Sequence, residues 1–184
     1  MPRFHRGARL TACALALLGY ATTPSAQPAK PDDPFQVLRP FVGEWDGAEQ
    51  GQPGQGRGER VYEFVLGGRY LHARNVSRFP PQSANPKGEI HEDWKFFSYD
   101  RSARALALRE FHVEGFVNYY LLDTAQSTPR RLVFESRQLE NFDGRARYTI
   151  TIEGPDAFSE IFEVGPDGRH LDVLVNNRWT RRRR

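Results

Sequence analysis

Residues 38–45 read Leu-Arg-Pro-Phe-Val-Gly-Glu-Trp, and this stretch decides the predicted fold. Its first half has the apolar spacing of a short helix, and its second half passes through Gly43 into a strand that starts at Trp45. Gly43 allows a sharp backbone turn because it has no Cβ, and Trp45 provides a ring large enough to plug one end of a barrel. The stretch therefore predicts a short helix that leads into the first strand of a closed sheet.

From Trp45 onward the chain alternates runs of strand composition with turn residues, and no further helix is predicted. The predicted strands span residues 45–50, 58–66, 70–79, 89–99, 105–111, 116–122, 131–139, 145–153, 157–164 and 170–179. The clearest strand is 145–153, in which Tyr148 and Ile150 share an apolar face. Tight turns between successive strands predict an all-β fold: a single closed antiparallel up-and-down β-barrel of eight to ten strands with a short N-terminal helix, over residues 35–180.

The N-terminal residues have the pattern of a secretory signal peptide. Three arginines precede an apolar run at residues 10–21, and this run is too short for a stable membrane span. A small residue, Ala26, closes the segment, so cleavage is expected after it and the location is predicted to be periplasmic or secreted. The proline-rich residues 27–34 are predicted to be a linker.

Removal of the signal peptide changes the charge balance. The chain has 26 basic and 23 acidic side chains, and loss of the three leader arginines leaves 23 of each. A neutral mature chain gives no argument for nucleic-acid binding, and no transmembrane segment is predicted in it. The sole cysteine, Cys13, leaves with the leader, which excludes disulfides and thiolate chemistry from the mature chain. The four arginines at 181–184 are predicted to form a solvated basic tail.

Two further sites extend the argument from Gly43 and Trp45. Residues 62–71 read Tyr-Glu-Phe-Val-Leu-Gly-Gly-Arg-Tyr-Leu, and the last predicted strand contains Arg178. Together these features resemble the calycins, which include lipocalins, fatty-acid-binding proteins and nitrobindin-like heme-binding barrels, and residues 62–71 resemble a bacterial lipocalin-like domain of unknown function. In lipocalins an arginine of the last strand packs over the tryptophan, so the resemblance implies a contact between Arg178 and Trp45.

The candidate ligand site consists of aromatic side chains and arginines that would line a barrel interior. The predicted cavity residues are Tyr62, Phe64, Tyr70, Arg74, Trp94, Phe96, Arg109 and Tyr148. One hypothesis is a carrier or sensor that binds a small apolar or amphipathic molecule, with an arginine meeting the ligand's carboxylate. The alternative is a structural or interaction domain with a filled barrel, whose arginines pair with surface acids. The sequence leaves both open and predicts no oligomeric state.

Heme is the cofactor that the resemblance brings into question, although none is required. In nitrobindin-like barrels the proximal histidine precedes a leucine near the start of the last strand, and His170-Leu171 matches this loosely. The apolar face contains Leu171 and Val173, so His170 is expected on the opposite face and any heme binding is expected to be weak.

Other catalytic and metal-binding patterns are not predicted. His91, Glu92 and Asp93 are adjacent, and adjacent strand residues point to opposite faces, so no metal site is expected there. His72 and His112 are likewise expected to be solvated or hydrogen-bonded. The chain contains no Gly-x-Ser-x-Gly elbow, and Glu110 and Glu114 flank a predicted turn, where acids are usually solvated. The protein is therefore not predicted to be an enzyme.

Overall fold

A short 3₁₀ helix, Gln36–Phe41, precedes the β-strands in the computed structural model, which describes residues 33–83 and 85–183. The predicted signal peptide, residues 1–26, and most of the predicted linker, 27–34, lie outside the described residues. Within the part of the chain that is described, no helix has the length and apolar character needed to cross a membrane.

Ten antiparallel strands in the described ranges form one closed barrel. They are β1 (Gly43–Gly51), β2 (Gly54–Val65), β3 (Tyr70–Phe79), β4 (Glu89–Asp100), β5 (Ala105–His112), β6 (Val117–Leu122), β7 (Arg131–Leu139), β8 (Arg145–Gly154), β9 (Ala157–Gly165) and β10 (Asp172–Arg181). Each strand pairs with the next in sequence, and β10 pairs with β1, so the sheet has no free edge. The predicted all-β up-and-down barrel with a short N-terminal helix is confirmed.

The 3₁₀ helix and the start of β1 fill one end of the barrel. Phe41 is buried there, and its carbonyl accepts a hydrogen bond of 2.7 Å from the indole Nε1 of Trp45. Phe158 packs edge-on against both rings, with centroid distances of 5.0 Å to Phe41 and 4.7 Å to Trp45. Gly43 has a φ of +125°, so the predicted need for glycine between helix and strand is confirmed.

The arginine that packs over Trp45 is Arg181, and the predicted contact with Arg178 is wrong. The Arg181 guanidinium lies 4.3 Å from the Trp45 ring centroid, and the two residues are cross-strand partners in β1 and β10. Trp179 is fully buried, so Arg178 beside it points outward, where its Nε lies 2.9 Å from a Glu153 oxygen. The prediction ended β10 too early and therefore chose an arginine of the wrong parity.

The basic run at 181–184 is not a free tail over its first two residues. Arg181 belongs to β10, and the Arg182 guanidinium pairs with the Asp46 carboxylate on β1. This hydrogen bond from Arg182 lowers the pKa of Asp46. The ordered barrel therefore continues past the predicted limit at residue 180.

The barrel interior is apolar at the helix-capped end. This core is formed by fully or nearly fully buried side chains, namely Leu38, Phe41, Trp45, Leu71, Phe97, Leu108, Leu132, Phe134, Ile150 and Phe158. At about 25 cal/mol per Å² of apolar surface removed from water, this core supplies the main stabilisation of the barrel. The rest of the interior is therefore free to contain polar groups.

Candidate functional site

The inward-facing residues change in character along the neighbouring strands β4 and β5. On β4 the sequence from the closed end is Phe97, Lys95, Asp93 and His91, and on β5 it is Leu108, Glu110 and His112. Alternate residues of a strand share a face, so these positions form successive interior layers. An apolar layer is followed by a charged layer and then by a pair of histidines.

A cavity of about 450 Å³ lies between the charged layer and the loops at the other end of the barrel. Its polar lining includes Glu49, Arg60, Asn75, Ser77, Glu89, His91, Asp93, Lys95, Glu110, His112, Glu114, Asn118, Tyr148, Glu160 and Asn177. Its apolar lining includes Phe79, Phe116, Phe162, Leu174 and Val175. The volume falls in the range of pockets that hold small organic molecules.

One buried ion pair anchors the floor of this cavity. Arg60 Nη1 lies 2.5 Å from Glu160 Oε1, and both side chains are almost completely buried. Glu160 also accepts hydrogen bonds from Trp179 Nε1, at 2.8 Å, and from the hydroxyl of Tyr148. The Arg60 guanidinium stacks over the Trp179 ring at 3.9 Å. Both charges are therefore compensated, as burial requires.

Tyr62 belongs to the same group. Its hydroxyl accepts a hydrogen bond of 3.0 Å from Arg60 Nη1. Burial raises the pKa of Tyr62 to about 12, and burial also raises the pKa of Tyr148 well above its usual value. Both phenols therefore remain protonated at neutral pH and act as hydrogen-bonding groups.

A second buried ion cluster is centred on Lys95. Its ammonium lies 2.5 Å from Asp93 Oδ1 and also pairs with Glu110. Burial alone would raise the pKa of Asp93, but the adjacent Lys95 charge lowers it overall. Burial would likewise lower the pKa of Lys95, and Asp93 and Glu110 raise it instead. Asn75 donates to Asp93 over 2.8 Å and accepts from Arg60 over 3.0 Å, so it joins the two clusters.

Glu49 differs from the other buried acids because its hydrogen bond comes from a hydroxyl group. Ser77 Oγ donates to Glu49 Oε1 over 2.9 Å, and the Glu49 side chain is buried. Burial raises the pKa of this carboxyl. A cation that entered the cavity would relieve the desolvation of the Glu49 carboxylate.

Carboxylates outnumber cations in the cavity lining. Among the described residues the lining acids are Glu49, Glu89, Asp93, Glu110, Glu114 and Glu160, and the permanent cations are Arg60 and Lys95. With both histidines neutral, this is a formal excess of four negative charges. A concave low-dielectric wall concentrates such a field, so the cavity favours cations and opposes carboxylate ligands.

Two histidines and a glutamate lie at the outer end of the cavity. His91 Nδ1 lies 2.9 Å from Glu114 Oε1, and His112 stacks on Phe116 with a centroid distance of 4.3 Å. Burial lowers the pKa of His112. The turn after β5 is closed by a 2.9 Å bond from the Gly115 amide to the His112 carbonyl, and Gly115 has a φ of +83°. This tight turn brings Glu114 back over His91.

Only part of the predicted cavity set faces inward. Tyr148 lines the cavity, and Tyr62 lies in the buried ion network beneath it. Phe64 belongs to the closed end, where it packs edge-on against Phe35 with a centroid distance of 5.7 Å. The structure therefore separates these three candidates into different interior layers.

The other predicted cavity residues lie on the outer face of β3, β4 and β5, so their predicted placement is wrong. Tyr70 and Phe96 pack together there, with ring centroids 6.5 Å apart. Trp94 is 45% exposed, and Arg74 Nε pairs with Glu92 over 3.1 Å. Arg109 lies over the Tyr119 ring at 4.6 Å. The prediction assumed that aromatics face inward, whereas these strands turn their charged residues to the interior.

The prediction also missed the buried role of Glu110, which was expected to be a solvated turn acid. Glu110 is only 7% exposed, and it is the direct cross-strand partner of Lys95. Opposite charges at paired positions stabilise antiparallel strands. The available signal was the inward series of β4, with His91, Asp93 and Lys95 two residues apart.

His170 lies in the turn before β10 and does not line the cavity. Its side chain is 80% exposed, and its Nδ1 is 3.3 Å from Asp167. The expected outward orientation of His170 is confirmed, whereas weak heme binding stays a prediction.

The fold and site define a closed ten-stranded antiparallel barrel with a charged interior and a cavity at one end. A solved structure of similar fold is the crystal structure of Rv2717c from M. tuberculosis, with a TM-score of 0.57 and 18% sequence identity. The similarity covers 81% of this chain and 97% of that chain. No family model matches the sequence, and no curated protein matches it. Similarity at this level of identity shows the fold alone.

Proposed function

We propose that this protein is a calycin-like binding protein whose cavity holds a small amphipathic molecule with a positively charged group. The observation that carries the proposal is the excess of carboxylates over cations around the 450 Å³ cavity. The Gly43–Trp45 segment and the stacking of Arg181 on Trp45 support the calycin-like relationship. The leader-like residues 1–26 support a periplasmic or secreted location.

The two kinds of lining residue suggest how the ligand is oriented. Phe79, Phe162 and Leu174 offer apolar surface for a hydrocarbon body. Glu49 offers a buried carboxylate to a charged head group. The ligand expected from the sequence was apolar or amphipathic, and the negative field narrows this to an amphipathic amine or a related cation.

The charged floor does not itself compete for the ligand. The Arg60 and Lys95 charges are each held by buried carboxylates at 2.5 Å. Breaking either pair would leave an uncompensated buried charge, which costs several kcal/mol. The head group is therefore assigned to Glu49, whose hydrogen-bond donor is the neutral Ser77.

Isothermal titration calorimetry with n-octylamine, octanol and octanoate tests the proposal, because these probes share a chain and differ in head-group charge. We expect octylamine to bind most tightly and octanoate to bind least. Glu49→Gln should weaken octylamine binding by roughly 10-fold or more, since it removes a charge-assisted hydrogen bond.

Glu59→Gln is the matched control, because Glu59 lies on the outer face of β2 with its side chain 65% exposed. This variant should bind octylamine like the wild type. Equal or tighter binding of octanoate would contradict the proposal, and so would an equal loss of octylamine affinity in both variants. Native mass spectrometry of the purified protein would identify a co-purified ligand directly.

A further inference from the structure

We propose that His91, His112 and Glu114 form a binding site for a divalent transition-metal ion at the outer end of the cavity. One potential ligand atom from each of these residues lies within 4.8 Å of the other two. The inference goes beyond the proposed amine ligand and does not depend on it, because it concerns different side chains from Glu49.

The donor set is suited to a borderline metal ion. Two imidazoles and one carboxylate form the three-ligand set of many zinc sites that keep a fourth position open. Imidazole nitrogens favour zinc, copper, nickel and iron over magnesium and calcium. All three residues line the cavity, so the remaining coordination position faces it and is available to water or to a donor group of a bound molecule.

The backbone fixes these donors relative to one another. His112 ends β5 and is paired with Asp93, so His91 is its diagonal neighbour on β4. Pairing continues one step beyond the strand, because the Val113 amide donates to the Glu92 carbonyl over 3.0 Å. Glu114 follows within the tight turn. The site therefore depends on strand register and on a short hairpin, and not on a long flexible loop.

Each histidine ring also turns one nitrogen toward the buried ion cluster. His91 Nε2 lies 3.8 Å from Asp93 Oδ2, and His112 Nε2 lies 3.8 Å from Glu110 Oε2. Both carboxylates are held by Lys95. Carboxylates commonly orient metal-bound histidines through the nitrogen that does not bind the metal. This arrangement assigns Nδ1 of both rings to the metal ion.

The surrounding charge also favours a dication. With neutral imidazoles, the three ligands contribute only the single negative charge of Glu114. The other lining carboxylates add to the negative potential, and Arg60 and Lys95 are already paired within the barrel. A bound dication would therefore reduce the charge excess of the cavity.

The outward neighbour Glu92 is not part of the site. It pairs with Arg74 on the barrel exterior over 3.1 Å. The sequence argument that His91, Glu92 and Asp93 cannot converge is thus correct for that triplet. The proposed ligands come from β4 and from the end and turn of β5, so their proximity arises from strand pairing.

Titration of the tag-free, chelator-treated full chain with Zn²⁺ and with Co²⁺ tests the site. We expect one ion per chain by calorimetry and d–d absorption bands of bound Co²⁺ in the visible spectrum. His91→Ala, His112→Ala and Glu114→Gln should each weaken Zn²⁺ binding by at least about 10-fold. Glu114→Gln is the most informative change, because its side chain is 50% exposed and lies in a turn.

His72→Ala and His170→Ala are matched controls, since neither histidine lines the cavity. Both should keep wild-type Zn²⁺ affinity, and far-UV circular dichroism should show an intact barrel in every variant. Wild-type protein that binds no Zn²⁺ would overturn the inference. Binding that survives His91→Ala and Glu114→Gln, or that is lost in His170→Ala, would also overturn it. Octylamine titration of the metal-free protein tests the proposed function separately.

Discussion

Glu160 satisfies an unusual number of buried donors for one side chain. It accepts hydrogen bonds from Arg60, Tyr148 and Trp179 in the middle of the barrel. A buried ion pair is stable only when its remaining hydrogen-bonding capacity is used, because desolvation of two charges costs several kcal/mol. Here the phenol, the indole and the stacked Trp179 ring complete the environment of the Arg60–Glu160 pair.

We therefore predict that Glu160→Gln lowers the free energy of unfolding by about 3–5 kcal/mol, because it leaves the Arg60 charge buried without its counter-ion. Urea denaturation followed by tryptophan fluorescence measures this loss. Glu163→Gln changes the outward face of the same strand and should stay within about 0.5 kcal/mol of the wild type. A loss below about 1 kcal/mol in Glu160→Gln would show that the pair is not a stabilising unit.

The end of β10 connects several elements through one side chain. Arg181 stacks on Trp45 of β1 and donates hydrogen bonds to the carbonyls of Val42 and Pro40, at 2.8 Å and 2.6 Å. It also donates to the carbonyl of Pro155, just before β9, over 3.3 Å. The last strand, the first strand and the end of the 3₁₀ helix are thereby held at the closed end.

Arg181→Met should destabilise the barrel by about 1–3 kcal/mol, because it removes the cation–π contact and leaves several carbonyl acceptors without their donor. Arg178→Met is the control: Arg178 is an exposed residue paired with Glu153, and an exposed pair contributes about 0–1 kcal/mol. Thermal unfolding followed by near-UV circular dichroism measures both. A larger loss in Arg178→Met would restore the original assignment of Arg178 to Trp45.

The sequence predicts strands well where one face is plainly apolar. It places one strand at residues 145–153, and β8 spans Arg145–Gly154 with Tyr148 and Ile150 facing inward. It fails on β4, where aromatics such as Trp94 lie outside and charged residues lie inside. The buried charges are tolerable only because cross-strand neighbours neutralise them, and such pairing depends on register. The same limit concealed the proximity of His91 and Glu114.

At the scale of the whole barrel, stabilisation and binding are assigned to opposite ends. The helix-capped end contains the apolar core, and the other end contains the polar cavity. Burial of apolar surface at one end offsets the desolvation of charges toward the other. Changes of cavity side chains without buried ion partners should therefore alter binding and the pH dependence of stability while leaving the barrel folded.

Glu49 allows this expectation to be tested through the pH dependence of stability. Burial raises its pKa in the folded protein, with smaller effects from Ser77, Arg60, Glu160 and Asp93. The folded state therefore holds the proton more tightly than the unfolded state. The stabilisation associated with that proton is fully present below the unfolded pKa of about 4.5 and is lost as pH rises through the higher folded pKa.

Glu49→Gln removes this titration, so its stability relative to the wild type should rise between about pH 4 and about pH 7. The lost Ser77 interaction adds an offset that does not depend on pH, and groups that titrate alike in both proteins cancel in the difference. Urea denaturation of both proteins across this range measures the change, with Glu59→Gln as the exposed control on β2. A difference between Glu49→Gln and wild type that stays constant or falls with pH would show that burial does not control the Glu49 carboxyl.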